Sequence, residues 1–328
     1  MQDLLKRLAK DWFLGGMILS VIAASFFPDV GRSGGLIHAD SLSDAGIFLV
    51  FFLHGVALST ESLRAGFLNW RLHCVVQVFT FGVFPLLWWG LNLLVGHWLS
   101  PDLMAGFFYL CALPSTISSS VAMTAAAGGN VPAAVFNATL SSLLGIFITP
   151  MLVSFQFGAS GGSLPVGEAM LKIAIMLLLP FVLGQVIRPV WGKWFATYKR
   201  YTNVFDRCVI LLLVFSSFSD SVAGGLWVKH GLLMLAEVAM GAALFLLVVL
   251  QLTRLTARAF GFSHEDEITA VFCGSKKTLA SGVPMAKLLF GASPTLGVIV
   301  LPIMLYHQIQ LFVCAMLARR YVAAAAKV

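Results

Sequence analysis

Charged residues are scarce in this sequence, which has 14 acidic and 21 basic residues among 328, or 11% in total. Soluble domains carry about 25% charged residues. Hydrophobic residues make up 59% of the chain, and its mean hydropathy is +0.93. Too little polar surface is left to cover a soluble globule of this length. The composition therefore argues against a soluble enzyme and indicates an integral membrane protein whose surface contacts the lipid bilayer.

The sequence also lacks the cysteine spacing of a metal or redox site. Its five cysteines stand singly in apolar surroundings: Cys74, Cys111, Cys208, Cys273 and Cys314. Zinc and redox motifs need cysteines in close pairs, so we expect inert thiols and no cofactor. The net charge of +7 does not indicate a nucleic-acid partner, because the basic residues lie mostly in short connections between apolar segments.

Long apolar runs dominate the chain. A helix needs about 20 apolar residues to cross a bilayer core about 30 Å thick, so the sequence predicts an all-α integral membrane protein with ten transmembrane helices. The predicted spans are residues 12–27, 44–60, 72–96, 103–128, 130–156, 166–190, 203–223, 230–253, 266–290 and 294–318. Most Lys and Arg residues lie in connections on one side of the membrane, so we expect both termini to be cytoplasmic. We expect the protein to lie in the plasma or inner membrane of the cell. The apolar N-terminal run could instead be a cleaved signal, but we expect the first span to stay.

The two halves of the chain share sparse matches. Asp44 corresponds to Asp206, Thr116 to Thr278 and Pro132 to Pro294, each 162 positions apart. Such matches also arise by chance in an apolar sequence. Each half, residues 12–156 and 166–318, holds five predicted spans, and an odd number turns the second half upside down in the membrane. The sequence thus predicts one transporter unit made of two inverted five-helix repeats.

Polar, helix-breaking clusters interrupt the fourth and the ninth span, at residues 113–120 and 273–278. Interruptions at matching places in two halves are typical of a secondary transporter's binding site, so we expect the clusters to face each other. Their candidate binding residues are Thr116, Ser118, Ser119, Ser120, Cys273, Ser275, Lys276, Lys277 and Thr278. Alternatively, each Ser or Thr bonds a carbonyl one turn back and Pro114 only kinks a helix. The accumulation of these residues favours a binding site.

Lys276 and Lys277 carry charge at the middle of a span, where each charge costs roughly 2.5–3.5 kcal/mol on insertion scales. A buried carboxylate such as Glu237 could neutralise one of them, or a lysine could extend to the membrane interface. Alternatively, a lysine presents positive charge to an anionic substrate. We favour this role for Lys277, through a salt bridge or through proton exchange, and leave the role of Lys276 open.

Asn137 and Ser141 share one face of the fifth span, because they are one helical turn apart. An oxygen-rich pocket could hold sodium or a polar substrate, and its possible sodium ligands are Ser119, Ser120, Asn137 and Ser141. Small polar residues also serve simply to pack helices together. Gln77 and His307 are weaker candidates, because a single polar residue in a membrane helix is usually a packing element.

Motifs at these positions resemble the bile acid:sodium symporter family, and within it the divergent branch of solute carrier family ten member seven. The resemblance covers essentially the whole chain. The motifs are Gly128-Gly129-Asn130 with Ala133-Ala134-Val135-Phe136-Asn137, Leu143-Leu144-Gly145-Ile146 with Thr149-Pro150, Phe272-Cys273-Gly274-Ser275-Lys276-Lys277-Thr278-Leu279 with Gly282-Val283-Pro284-Met285, and Tyr306-His307. The resemblance implies ten helices in inverted repeats, a panel and a core domain, and two discontinuous helices that cross, the fourth and the ninth.

In typical members of that family, sodium is held by Ser, Asn and Thr near the first crossing and by a Glu-x-Gly-x-Gln-Asn stretch of the second. This sequence departs from both patterns. Cys273 stands where the Glu would be, Ser275 where the Gly would be, Lys277 where the Gln would be and Thr278 where the Asn would be. In the first crossing, Ser119-Ser120 replaces a Ser-Asn pair. Because the balancing carboxylate is missing, the sequence argues against coupling to two sodium ions, although sodium stays a candidate ion.

Together these features predict a secondary active transporter, and not an enzyme, that moves a small organic anion by alternating access and is coupled to sodium or to protons. We expect a monomer or a homodimer. A channel-like permease is the first alternative, although no ring-forming filter is visible. The second is an intramembrane hydrolase, since Ser281 follows Lys277 by four residues and a Ser-Lys pair can act as nucleophile and base.

Overall fold

The computed structural model describes residues 12–57, 69–158, 166–224, 226–291 and 295–325. Every regular element in these ranges is a helix. In chain order they are α1 (Trp12–Phe26), α2 (Pro28–Gly31), α3 (Ala39–Ala57), α4 (Trp70–Val78), a π-helical turn (Phe79–Val83), α5 (Phe84–Val95), α6 (Pro101–Ala112), α7 (Ser118–Ala126), α8 (Val131–Gly158), α9 (Val166–Ala223), α10 (Leu226–Ala259), α11 (His264–Gly274), α12 (Gly282–Phe290) and α13 (Leu296–Ala325). The end of the predicted second span and the start of the tenth lie outside the described residues.

Among the residues that the structure describes, six helical stretches are long and apolar enough to cross a bilayer. They are Trp70–Val95, Val131–Phe157, Ile175–Gly192, Tyr201–Ala223, Met234–Ala259 and Leu296–Ala324. Shorter apolar stretches are Gly15–Phe26, Ser41–Ala57 and Pro101–Ala112. Large side chains such as Phe26 (75% exposed), Leu93 (82%) and Val190 (77%) point away from the protein interior, as suits a surface in contact with lipid tails. The chain is a multi-pass, all-helical membrane protein, and ten spans remain a prediction.

The predicted sixth and seventh spans are parts of one continuous helix, α9, which has 58 residues. The sequence predicted two separate spans with residues 191–202 between them. In that segment Gly192 alone has a strong preference against helix, and no proline is present. Nothing in the segment therefore ends the helix, and the connection between the two spans is helical.

Both predicted interruptions are present. α6 ends at Ala112 and α7 begins at Ser118, while α11 ends at Gly274 and α12 begins at Gly282. In the first interruption, Leu113 is extended (φ −71°, ψ 151°), because the residue before Pro114 disfavours helical angles. In the second, the Ser275 hydroxyl donates to the Val271 carbonyl at 2.6 Å, and this bond competes with continuation of the helix.

The predicted third span changes its helix type at the π-helical turn. The Phe84 amide donates to the Phe79 carbonyl, five residues back, so the hydrogen-bond register is shifted by one residue. Pro85 comes next and has no amide hydrogen. The Thr80 carbonyl, which Pro85 would pair in this register, is left without a helical donor. A backbone group freed inside a membrane must find a partner elsewhere in the protein.

The chain divides into two compact units, and each unit takes segments from both halves of the chain. Unit 1 comprises Met1–Leu58, Leu171–Met234 and Val283–Val300, and unit 2 comprises Ser59–Met170, Leu235–Gly282 and Leu301–Val328. Polar pairs join separate segments of unit 1. The Ser33 amide and hydroxyl donate to Asp220 at 2.8 and 2.9 Å, and Lys287 pairs with Asp44 at 3.0 Å.

Unit 2 contains the first interruption and the second up to Gly282. Its helices pack through small residues, because side chains without bulk let helices approach closely in a membrane. A buried cluster joins α4, α8, α10 and α11 and consists of Leu72, Val76, Ala133, Ala134, Ala257, Ala270 and Cys273. The candidate site lies in this unit.

Candidate functional site

The two interruptions are in direct contact within unit 2. The Thr278 amide donates to the Pro114 carbonyl at 3.0 Å, and the Ser115 hydroxyl donates to the Cys273 carbonyl at 2.6 Å. Backbone groups that one broken helix leaves free are thus paired by the other. The prediction that the clusters face each other is confirmed.

The first interruption is held in place by α8. The Ser115 amide donates to the Ser141 hydroxyl at 2.9 Å, and the Thr149 hydroxyl donates to the last carbonyl of α6 at 2.8 Å. Gly145 lies against the ring of Pro114, where a Cβ atom would be 2.6 Å from the proline Cγ. Only glycine fits there without displacing the ring.

The second interruption is held by α13. The buried Gln310 carboxamide accepts from the Lys277 amide and donates to the Lys277 carbonyl, both at 2.9 Å. The Tyr306 hydroxyl donates to the Ser275 carbonyl at 2.6 Å. His307 Nδ1 lies 3.0 Å from the Gln310 nitrogen, so His307 contacts the residue that holds the second interruption in place. Gln310 is not among the binding residues predicted from the sequence, although a glutamine in an apolar span was the available signal.

The Lys277 ammonium group is enclosed by backbone oxygens. Nζ donates to the carbonyls of Thr80, Cys111 and Leu113, each at 2.7 Å, and lies 4.0 Å from the ring centroid of Phe84. The side chain has no solvent exposure. An ammonium group has three hydrogens, so the protein uses all of them. This geometry does not favour the predicted contact between Lys277 and an anionic substrate.

Lys276 is equally buried but less well paired. Its Nζ donates to the Ser119 carbonyl at 2.6 Å, its one hydrogen-bond acceptor among the described residues, and lies 5.5 Å from the ring centroid of Phe272. The Ser119 hydroxyl is buried and has no hydrogen-bond partner in the described ranges, while the neighbouring Ser118 is exposed. A cation with spare donors and an unpaired hydroxyl therefore lie together at the first turn of α7.

No carboxylate in the described part of the chain pairs with Lys276 or Lys277. The alternative that Glu237 neutralises one of them finds no support. The hydrolase alternative finds none either, because the Ser281 hydroxyl donates to Thr278 at 3.4 Å while the Lys277 ammonium is bound to three carbonyls. A base must lie within hydrogen-bond reach of its nucleophile.

Two of the four oxygens predicted as sodium ligands, those of Ser141 and Asn137, already accept from protein groups. Ser141 accepts from a backbone amide, Ser120 donates to a carbonyl of α11 at 3.3 Å, and the Asn137 carboxamide oxygen lies 3.4 Å from the Gln77 nitrogen. The Ser119 hydroxyl has no partner among the described residues, but the Lys276 ammonium group binds the backbone carbonyl of the same residue. The described residues hold no cluster of three His, Cys, Asp or Glu side chains for a metal. These residues fit sodium poorly.

The remaining predicted residues lie around or beside this contact. Thr116 is buried within the first interruption, and the Cys273 thiol lies 3.9 Å from the Ala134 carbonyl. Gln77 donates to the Asn137 carbonyl at 3.2 Å, so these two residues form a separate pair between the third and the fifth predicted span. The structure thus joins the serines of the first cluster to the second cluster and leaves Gln77 and Asn137 to one side.

Two acidic residues at the start of α11, Asp266 and Glu267, are paired with side chains of other segments. Glu267 is 7% exposed and accepts from Arg254 at 3.2 Å and from Arg258 at 3.0 Å. Asp266 accepts from the carboxamides of Asn69 and Asn130 at 2.7 and 2.9 Å. These two carboxylates therefore join the start of α11 to α10 and to the residues that precede α4 and α8.

An apolar helical chain whose two interrupted helices meet through their backbone groups has the arrangement of a secondary transporter. The chain belongs to the SBF-like CPA transporter family, whose model matches residues 11–323. The family resemblance seen in the motifs is confirmed, and the protein is a transporter of a small-molecule substrate and not an enzyme.

Relatives from bacteria and animals match almost the whole chain. Protein PA2026 of Pseudomonas aeruginosa is 46% identical over 315 residues, which cover 96% of this chain and 94% of the relative. YfeH of Escherichia coli (strain K12), named as a symporter, is 45% identical over 317 residues, or 95% and 92% of the two chains. Sodium/bile acid cotransporter 7 of Rattus norvegicus is 31% identical over 323 residues, or 96% and 93%.

Proposed function

We propose that this secondary transporter moves a small organic anion by alternating access, and that the anion binds beside Lys276 at the first turn of α7. The observation that carries this proposal is the incomplete pairing of the Lys276 ammonium group, which has one carbonyl acceptor at 2.6 Å and no carboxylate partner among the residues that the structure describes. A buried charge without a counter-ion is costly. A carboxylate or sulfonate of the substrate would supply the missing negative charge and accept the spare hydrogens.

Two further features of the same turn favour an anion. The Ser119 hydroxyl is buried without a partner in the described chain and can donate a hydrogen bond to the anion. The positive end of the α7 dipole lies at Ser118–Ser120, and half-helix N-termini in broken membrane helices suit anionic groups. The exposed Ser118 shows that this turn reaches the surface of unit 2, which gives a substrate a way in.

The names of the relatives favour a carrier over a channel. YfeH is named as a symporter and the rat relative as a sodium/bile acid cotransporter. Bile acids are organic anions, so the substrate class proposed from Lys276 agrees with the name of the rat protein. The name of the rat protein also includes sodium, but the candidate sodium ligands of this chain fit that ion poorly. Binding of the anion is therefore proposed to need no sodium.

The membrane arrangement is part of the proposal. The ten spans form two inverted five-helix repeats, residues 12–156 and 166–318, in the plasma or inner membrane, with both termini in the cytoplasm. The distribution of Lys and Arg supports this orientation, and the matching places of the two interruptions support the repeats. Single cysteines near Lys199 or Arg254 that are labelled from outside by an impermeant thiol reagent would contradict the orientation.

Counterflow in proteoliposomes tests whether the protein is a carrier. Vesicles containing the purified protein and a high concentration of one unlabelled organic anion are diluted into a trace of the same labelled anion, over a panel that includes aliphatic carboxylates and a bile acid. For at least one anion, we expect the label to rise transiently above its equilibrium level and its initial rate to saturate with concentration. Protein-free vesicles are the control. A flux that grows linearly with concentration and never overshoots would show a channel-like permease instead.

A further inference from the structure

The environment of Lys277 resembles an ion-binding site more than a salt bridge. Three carbonyl oxygens, of Thr80, Cys111 and Leu113, lie at 2.7 Å from Nζ. The face of the Phe84 ring lies 4.0 Å away and attracts cations through its quadrupole. Rings of backbone carbonyls around a dehydrated monovalent cation are how membrane proteins hold such ions.

Each of the three oxygens is free because the chain breaks a helix there. The π-helical turn shifts the hydrogen-bond register by one residue, so the Thr80 carbonyl would pair with Pro85, which has no amide hydrogen. Cys111 and Leu113 lie at the end of α6, where the last carbonyls of a helix lack donors. The Ser115 amide, which a continuing helix would direct to Cys111, donates to Ser141 instead. Pro85, the end of α6 and the Ser141 hydroxyl thus leave three carbonyl oxygens without a helical hydrogen bond, and these oxygens converge on Nζ of Lys277.

The charge of the ammonium group is balanced by dipoles rather than by an acid. No carboxylate in the described residues pairs with Lys277, but the C-terminus of α6 carries a partial negative charge of about half an electron. The carbonyl dipoles and the aromatic face add to it. Such a site needs an occupant, because without one three buried carbonyls would remain unpaired at a cost of about 1–3 kcal/mol each, and the converging carbonyl dipoles favour a cation as that occupant.

We infer that this carbonyl cage is a monovalent-cation site that the chain fills with its own tethered ammonium group. Lys277 ties the π-helical turn, the end of α6 and the second interruption to one point and keeps the contact between the interruptions assembled without an added ion. The inference concerns the stability of unit 2 and does not depend on which anion is transported. It also explains how a chain that fits sodium poorly keeps a positive charge where its broken helices meet.

Chemical rescue tests this assignment. Lys277→Ala removes a propylammonium-sized group, so n-propylammonium should enter the vacated space of the purified variant. We expect the variant to unfold at a lower temperature than the wild type, and n-propylammonium to recover about half or more of the loss with a saturable concentration dependence. At equal concentration, 1-propanol should recover little, because it lacks the charge. In Lys277→Met, where a methionine side chain fills the space, n-propylammonium should have no effect.

Lys276→Ala is the matched control, because that ammonium group has one carbonyl acceptor and not three. Rescue of Lys277→Ala that is no larger than that of Lys276→Ala, or that 1-propanol matches, would overturn the inference. A second measurement needs no variant. The unfolding temperature of the wild type should be the same in sodium, potassium and choline chloride, and a rise specific to sodium would show that the chain does not supply its own cation. Because the readout is unfolding, a failure here leaves the anion proposal standing.

Discussion

Replacing Gln310 by leucine should lower the unfolding temperature and the yield of folded protein sharply. The Gln310 carboxamide is fully buried and pairs both the amide and the carbonyl of Lys277 at 2.9 Å. Leucine can pair neither group, and each buried backbone group left alone costs about 1–3 kcal/mol. Two such groups amount to a large part of the 5–15 kcal/mol that typically stabilises a folded protein.

Gln308→Leu is the control for this prediction, because Gln308 lies in the same helix. Its side-chain nitrogen is buried and has no hydrogen-bond partner in the part of the chain that the structure describes. Removing that nitrogen relieves an unpaired polar group, so the variant should be neutral or more stable. Both variants are measured by thermal unfolding in the same detergent. Equal losses in the two would contradict the role given to Gln310.

Gly145→Ala should destabilise the protein, although alanine is the better helix former. A Cβ atom at this position would lie 2.6 and 2.7 Å from Cγ and Cβ of Pro114, and a proline ring cannot turn away. Overpacking of this kind costs about 1–3 kcal/mol, which exceeds the gain of about 1 kcal/mol from replacing glycine in a helix. The expected result is a lower unfolding temperature, because α8 would no longer pack closely against the first interruption.

Gly90→Ala supplies the comparison for Gly145→Ala. Gly90 also lies within an apolar helix, but a Cβ atom there would meet nothing within 4 Å. This variant keeps the helical gain without the clash, so it should unfold at the same temperature as the wild type or slightly higher. If Gly145→Ala is as stable as Gly90→Ala, then the ring of Pro114 is not fixed against α8 as described.

The parts of the fold that follow from local chemistry could be predicted from the sequence. Apolar runs long enough for a bilayer predicted the helices, and clusters of polar and helix-breaking residues predicted both interruptions. Pro114 acts through its own backbone and that of Leu113, so its effect needs no distant partner. The continuity of α9 was not predicted, because the basic residues between the sixth and the seventh predicted span suggested a separate connection. That segment consists of residues that can form a helix and contains no proline, so the connection itself is helical.

The pairing of the two lysines could not be predicted, because it depends on contacts between segments far apart in sequence. The fixed role of Lys277 arises from carbonyls near residues 80 and 112, and only the fold shows that they meet. The same holds for Gln310 and Thr149, whose side chains pair backbone groups of other helices. Adjacent lysines in one cluster therefore have different surroundings. The sequence favoured Lys277 as the partner of the anion, whereas the pairing of the two ammonium groups supports our proposal that Lys276 has this role.

The central claim is that the Lys276 ammonium group binds the transported anion, and the affinity of the purified protein tests it most directly. Isothermal titration uses the anion with the strongest counterflow in the panel. Lys287→Gln is the control, because that lysine already pairs with Asp44 at 3.0 Å. Loss of one partner from a buried charge pair costs about 2–5 kcal/mol, so Lys276→Gln should raise the Kd at least about tenfold, while Lys287→Gln should leave it nearly unchanged. An unchanged Kd in Lys276→Gln would contradict the account.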